Sequence, residues 1–149
     1  MSTSRESDDG HDLPVGERRR SRERALGLLY EAEVKNLPLQ SVLDGLPSVP
    51  EPYAVDLVLG VAHRCDEIDA LIDLHADFWA IERMPAVDRQ LLRLATYELM
   101  EQLDVPVAVV IDEAVELAKQ YSTEDSGSYV NGVLASIARK LRKEGGEAP

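Results

Sequence analysis

Apolar residues recur at every third or fourth position through most of the chain, which is the spacing of one buried face of an α-helix. This pattern predicts helices over 18–36, 52–75, 85–103, 107–121 and 129–143, with a short helix or turn over 39–46. Apolar positions cover more than one face of the 85–103 segment, so we expect that helix to lie at the centre. Because no alternating pattern of useful length indicates a strand, the sequence predicts an all-α fold.

Proline and small polar residues mark the connections between these segments. The stretch PSVPEP is a proline-marked connection, and STEDSGS, over 122–128, is predicted to be a loop rich in helix-capping residues. Tyr121 continues the apolar face of the 107–121 helix, and the acidic residues of that helix are expected on its exposed faces: Asp112, Glu113 and Glu116. An apolar patch precedes the central helix and consists of Phe78, Trp79 and Ile81.

Both ends of the chain are expected to lie outside the folded domain. Residues 1–17 are predicted to be a disordered acidic leader, followed by one domain over 18–143 and a frayed tail over 144–149. No apolar run reaches the roughly 18–20 residues of a membrane span, and no secretion signal is present. The lone cysteine, Cys65, excludes an intrachain disulfide and is expected to be a small core residue. We therefore expect a cytoplasmic protein.

Positive charge is concentrated at two places on a chain whose formal net charge is −12. Four basic residues lie in 139–143, where they complement the negative end of a helix dipole. Five arginines lie in seven residues near the other end: Arg18, Arg19, Arg20, Arg22 and Arg24. Arginine forms bidentate hydrogen bonds with phosphate, so this cluster indicates a grip on a nucleic-acid backbone, RNA in particular. A solubilising arm explains the cluster about as well.

The motifs of common enzyme classes are absent from the sequence. It contains no glycine-rich phosphate loop, no nucleophile elbow and no zinc-protease motif. His11, His63 and His75 lack metal-ligand spacing, so we predict no metal, no cofactor and no catalysis. Tyr30 and Tyr129 could stack on bases, or pack in the core with their hydroxyl groups at the surface.

Three stretches, in this order, resemble the signatures of the bacterial transcription antitermination factor NusB family: RRRSRERALGLLYEAE, VDRQLLRLATYEL and VPVAVVIDEAVELAKQYSTEDSGSYVNGVL. The resemblance covers about 18–142. It implies an all-helical bundle of two small subdomains and a non-catalytic RNA-binding adaptor. It further implies pairing with the ribosomal protein NusE, binding of single-stranded boxA RNA in ribosomal RNA operon leaders, and a place in the RNA polymerase antitermination complex.

The resemblance also assigns RNA-binding positions to this chain. The arginines would position phosphates, Tyr30 and Tyr129 would stack, and Asp88 would accept hydrogen bonds from base amino groups. A carboxylate at the start of a helix is an equally good interpretation of Asp88. Further positions around the EDS stretch and the helix that follows are Asp125, Ser128, Tyr129 and Asn131. Some relatives carry a lysine where this chain has Ser128, which removes one expected phosphate contact.

Two other functions fit the same residues. A helical protein–protein module could use its arginines against an acidic partner and bind no RNA. A detached RNA-binding domain, of the kind attached to ribosomal RNA methyltransferases, would also carry these motifs. Relatives are monomers or homodimers, so a homodimer is a further expectation from the resemblance.

Overall fold

Seven α-helices form the described part of the computed structural model, which covers residues 15–77 and 79–142. The helices are α1 (Val15–Lys35), α2 (Leu39–Asp44), α3 (Pro52–His63), α4 (Cys65–His75), α5 (Ala86–Glu101), α6 (Val107–Tyr121) and α7 (Glu124–Arg142). A 3₁₀ turn over Ile81–Arg83 precedes α5. No strand occurs within these residues, and the prediction of an all-α fold is confirmed.

Helix α5 lies at the centre, as its apolar pattern predicted. Helices α1, α2 and α3 pack together on one side, whereas α4, α6 and α7 pack on the other. Helix α5 contacts both groups, and its leucines Leu91, Leu92, Leu94 and Leu99 are buried in a core shared by the two groups. The fold therefore has two helical groups on either side of one central helix.

Helix α1 begins earlier than predicted and has a well-defined end. It starts at Val15 rather than Arg18. At its end, Asn36 has a left-handed backbone (φ 55°), and the amides of Asn36 and Leu37 donate to the carbonyls of Glu33 and Ala32. These are the two hydrogen bonds of a Schellman motif. Most of the predicted leader, the tail over 144–149 and Phe78 lie outside the described residues.

The prediction of one helix over 52–75 was wrong. The helix ends at His63, and Arg64 (φ −117°, ψ 23°) separates α3 from α4. No proline or glycine stands at this break. We attribute the break to packing of the two segments against different helices. Helix α3 packs on α1 and α5, whereas α4 packs on α5 and α7. Cys65 follows the break and is half-buried rather than a core residue.

The polar stretch over 122–128 was also predicted incorrectly. Helix α7 starts at Glu124, not at Tyr129, so most of the expected loop is helical. Thr123 caps it, because its side-chain Oγ1 accepts a hydrogen bond from the amide of Ser126 at 3.0 Å. Ser126 and Gly127 are consequently buried in the first turns of the helix. Within the described residues, no helix is long and apolar enough to cross a bilayer.

Glycine is required at one buried helix contact. A Cβ atom on Gly60 of α3 would lie 2.1 Å from the ring carbon Cζ of Tyr97 on α5. Tyr97 is held in place, since its hydroxyl donates to Asp56 at 3.1 Å. A Cβ on Gly27 of α1 would meet nothing within 4 Å.

These two glycines give a matched test of the packing. Gly60→Ala should lower the free energy of unfolding by about 1–3 kcal/mol because of overpacking. Gly27→Ala should raise it by roughly 0.5–1 kcal/mol, because alanine is favoured over glycine in a helix. Urea unfolding followed by circular dichroism measures both. Equal effects of the two substitutions would contradict the contact between Gly60 and Tyr97.

Candidate nucleic-acid interface

The five arginines of α1 do not share one environment. Arg22 is only 3% exposed. Its Nε donates to Glu98 Oε1 of α5 at 2.9 Å, and the hydroxyl of Tyr53 donates to Glu98 Oε2 at 2.5 Å. Burial raises the pKa of Tyr53, which therefore remains a neutral donor. Arg22 thus lies in the interior, which conflicts with the prediction that it contacts phosphate.

Arg19 is partly exposed but has a carboxylate partner on α6. Its Nε and Nη2 donate to the two oxygens of Glu113 at 2.9 and 2.7 Å. Glu113 is buried, so the prediction that it faces solvent was wrong. The hydrogen bonds from Arg19 hold the pKa of Glu113 below its ordinary value. This pair joins α1 to α6.

The remaining arginines differ again. Arg18 lies over the ring of Tyr53, with its guanidinium carbon 4.8 Å from the ring centroid. Arg20 and Arg24 are exposed, and neither forms a salt bridge within the described part of the chain. Of the five predicted phosphate contacts, these two side chains are therefore the most available to a ligand.

Asp88 is completely buried in the first turn of α5. The hydroxyl of Ser126 donates to its Oδ2 at 2.8 Å, which links the start of α5 to the start of α7. This placement conflicts with the prediction that Asp88 contacts bases, and it agrees with the alternative of a helix-start carboxylate. Glu98, in the same helix, is also buried.

A cleft of about 620 Å³ lies between the end of α4 and one side of α7. Its walls include three predicted RNA-binding residues, Asp125, Ser128 and Tyr129, and two residues that were not predicted, His75 and Arg139. The Tyr129 ring packs edge-on against Trp79, with centroids 5.3 Å apart and planes at 66°. Asn131 is exposed on α7, outside the cleft lining.

Side-chain contacts connect the second half of α1 with the start of α5. Tyr30 is 42% exposed, one turn before Glu33. Glu33 accepts hydrogen bonds from Arg89 at 3.2 Å and from Gln90 at 2.5 Å, next to Asp88 in α5. The Arg89 hydrogen bond also lowers the pKa of Glu33. The second half of α1 therefore adjoins the start of α5, while the arginines lie in the first half of α1.

Sequence reasoning missed the exposure of two aromatic residues, Trp79 and Tyr121. Tyr121 was placed on the apolar face of α6, yet it is 47% exposed and its hydroxyl donates to Glu23 of α1. The position of Tyr121 at the end of α6, just before a polar stretch, was the feature of the sequence that could have indicated its exposure. In the described residues, no group of three His, Cys, Asp or Glu side chains could hold a metal ion.

The NusB family model matches residues 19–139 of this chain. The chain belongs to the NusB family. Among curated members, the transcription antitermination protein NusB of Salinispora tropica is 48% identical over 128 residues, covering 81% of this chain and 94% of that protein. The NusB protein of Saccharopolyspora erythraea is 49% identical over 131 residues, covering 83% and 88%.

Solved NusB structures share the fold. A structure of T. maritima NusB has a TM-score of 0.77 and 37% identity, covering 89% of this chain and 96% of that one. A structure described as antitermination factors NusB and NusE in complex with dsRNA has a TM-score of 0.72 and 27% identity, covering 85% and 99%. The NusB-like helical fold expected from the resemblance is confirmed.

The interior position of Arg22 can be tested by stability. Arg22→Met leaves Glu98 with a buried charge and should lower the free energy of unfolding by about 3–5 kcal/mol. Arg20→Met, on the exposed face, should change it by less than about 0.5 kcal/mol. Adding Glu98→Gln to Arg22→Met should recover part of the loss. If Arg20→Met proved as costly as Arg22→Met, the two arginines would not differ as described.

The Arg19–Glu113 pair predicts a pH-dependent contribution to stability. Because the folded pKa of Glu113 is lowered, the pair stabilises fully above the ordinary carboxyl pKa and loses this effect as pH falls through the folded pKa. Since Arg19 is exposed and solvent screens the pair, the contribution should be small. Urea unfolding of Glu113→Gln between pH 7 and pH 3 should show a difference from the native protein that shrinks in acid. Asp112→Asn is the control, and a pH-independent difference for Glu113→Gln would contradict the pair.

Proposed function

We propose that this chain is a transcription antitermination factor, a non-catalytic adaptor that binds boxA-like RNA of ribosomal RNA operon leaders together with the ribosomal protein NusE. It would act in the cytoplasm, within the RNA polymerase antitermination complex. The observation that carries this proposal is the pair of exposed arginines, Arg20 and Arg24, on one face of a helix. The solved relative described in complex with NusE and dsRNA supports the choice of both partners.

The charge distribution favours a local RNA contact over general coating of nucleic acid. The chain has a formal net charge of −12, so most of its surface repels phosphate. Arg20 and Arg24 present their guanidinium groups where the described residues offer no competing carboxylate partner. Arg19 would add a weaker contact, because Glu113 already occupies two of its donors. This arrangement limits phosphate binding to the first half of α1.

The cleft beside α7 would contribute base recognition. Tyr129 offers a partly exposed ring that Trp79 holds in a fixed orientation. Asp125 and Ser128 line the same cleft and are exposed. We assign the acceptor role for base amino groups to Asp125, because Asp88 is buried. Asp88 would act indirectly, by fixing Ser126 and therefore the start of α7.

RNA affinity and its salt dependence test the role of the exposed arginines. Arg20→Ala and Arg24→Ala should each weaken binding to a boxA-like single strand. Each should also reduce the slope of log affinity against log salt by about 0.7, the value for one lost phosphate contact on a single strand. Fluorescence anisotropy of a labelled RNA, with and without NusE, measures both quantities.

Lys140→Ala is the matched control for this experiment. Lys140 is exposed near the end of α7, and its removal costs the same charge. We expect the RNA affinity and the salt slope of the Lys140→Ala variant to match those of the native protein. If all three substitutions weakened binding equally, the effect would come from net charge. If the native protein bound NusE but no RNA, it would be a protein–protein module instead.

A further inference from the structure

Tyr121 is an aromatic residue at the surface whose side chain is held in a defined position. It is the last residue of α6, and nearly half of its surface is exposed. Its hydroxyl donates to Glu23 of α1, and Gln120 Nε2 donates to the same hydroxyl at 3.3 Å. The hydrogen bond to Glu23 raises the pKa of Tyr121, so the hydroxyl remains a neutral donor. An exposed ring with an anchored hydroxyl is a preformed flat surface.

One neighbour of this ring is the arginine-bearing part of α1. Glu23 lies one helical turn after Arg20 and directly before Arg24. Among the described residues, Glu23 pairs with Tyr121 and forms no salt bridge with either arginine. The Tyr121 hydroxyl thus occupies one oxygen of a carboxylate that lies between the two arginines along α1. The Arg19–Glu113 pair is a second connection between α1 and α6.

The other neighbour of Tyr121 is the start of α7. Only Ser122 and Thr123 separate Tyr121 from α7, and the Ser122 and Ser126 hydroxyl groups are hydrogen-bonded at 3.0 Å. Ser126 in turn donates to Asp88. Tyr121 is therefore joined to Glu23 of α1 by a hydrogen bond and to the start of α7 by two residues of chain.

We propose that the Tyr121 ring is a stacking platform for an unpaired RNA base, and that Glu23 is the residue that positions it. This inference rests on the proposed RNA-binding function. Stacking on an exposed aromatic ring accepts any base, because every base has a π-face. An RNA strand whose phosphates contact Arg20 and Arg24, and which continues towards α7, would place a base over this ring. A paired base in a duplex could not stack there.

The test compares ring and hydroxyl substitutions on the same full-length protein. Tyr121→Ala should weaken binding to single-stranded boxA-like RNA about tenfold, the scale of one lost base-stacking contact. Tyr121→Phe keeps the ring and should lose at most about threefold, since the anchor is lost but the platform remains. Glu23→Gln keeps a hydrogen-bond acceptor and should bind at least as tightly as the native protein. Tyr121→Leu, apolar but not aromatic, should behave like Tyr121→Ala.

Two further readouts separate stacking from a structural effect. The salt slope should stay unchanged in Tyr121→Ala, because no phosphate contact is lost. Affinity for a duplex of the same sequence should also stay unchanged. A global loss of structure would instead lower both affinities together and would be visible by circular dichroism.

The outcomes also separate this inference from the proposed function. If the native protein binds the RNA and Tyr121→Ala binds within twofold of it, the stacking role is wrong while RNA binding stands. Equal losses for Tyr121→Ala and Tyr121→Phe would assign the effect to the hydroxyl and overturn the platform. If the native protein fails to bind RNA at all, the proposed function itself is wrong.

Discussion

The buried ion pair between Arg22 and Glu98 fixes how α1 is oriented about its own axis. With Arg22 pointing inward, residues two positions away on either side lie about 160° around the helix, on the opposite face. Those residues are Arg20 and Arg24, which are therefore exposed. Arg18 lies about 40° and Arg19 about 60° from Arg22, so both lie close enough to the protein to contact Tyr53 or Glu113. One interior contact thus decides which arginines can meet a ligand.

The same interaction shows how an acidic protein uses its carboxylates. Glu98 and Glu113 join α1 to α5 and α6, while Asp88 joins α5 to α7. A buried ion pair adds little net stability, because both charges lose their hydration. An arrangement of the helices that separated the pair would leave an unpaired buried charge, so such contacts favour one arrangement over others. Buried carboxylates therefore set the geometry of the fold. In the proposed function, the remaining acidity of the surface would confine phosphate to a short stretch of α1.

Helical periodicity was sufficient to predict the fold class, the central helix and most helix positions. It failed at Arg64 and at Glu124, where the element boundaries depend on packing against other helices and on the cap at Thr123. The sequence also showed five arginines close together but could not separate their environments. Spacing along a helix gives the angle between side chains, whereas the partner that buries Arg22 lies 76 positions away in the chain. The same limit applies to Asp88 and Tyr121, whose contacts are with other helices.

The position of the cations bears on Ser128, where the resemblance gives some relatives a lysine. Ser128 removes a positive charge from the wall of the α7 cleft. Arg24 extends the arginine cluster and lies on the exposed face of α1. The accessible cations are then Arg20 and Arg24 on α1, with Arg139 at the far end of the cleft. Phosphate contacts set register and base contacts set specificity, so in the proposed function the two roles fall mainly on different helices. In that proposal the part of the cleft with a carboxylate, a hydroxyl and an aromatic ring selects bases, because it carries no cation to favour phosphate.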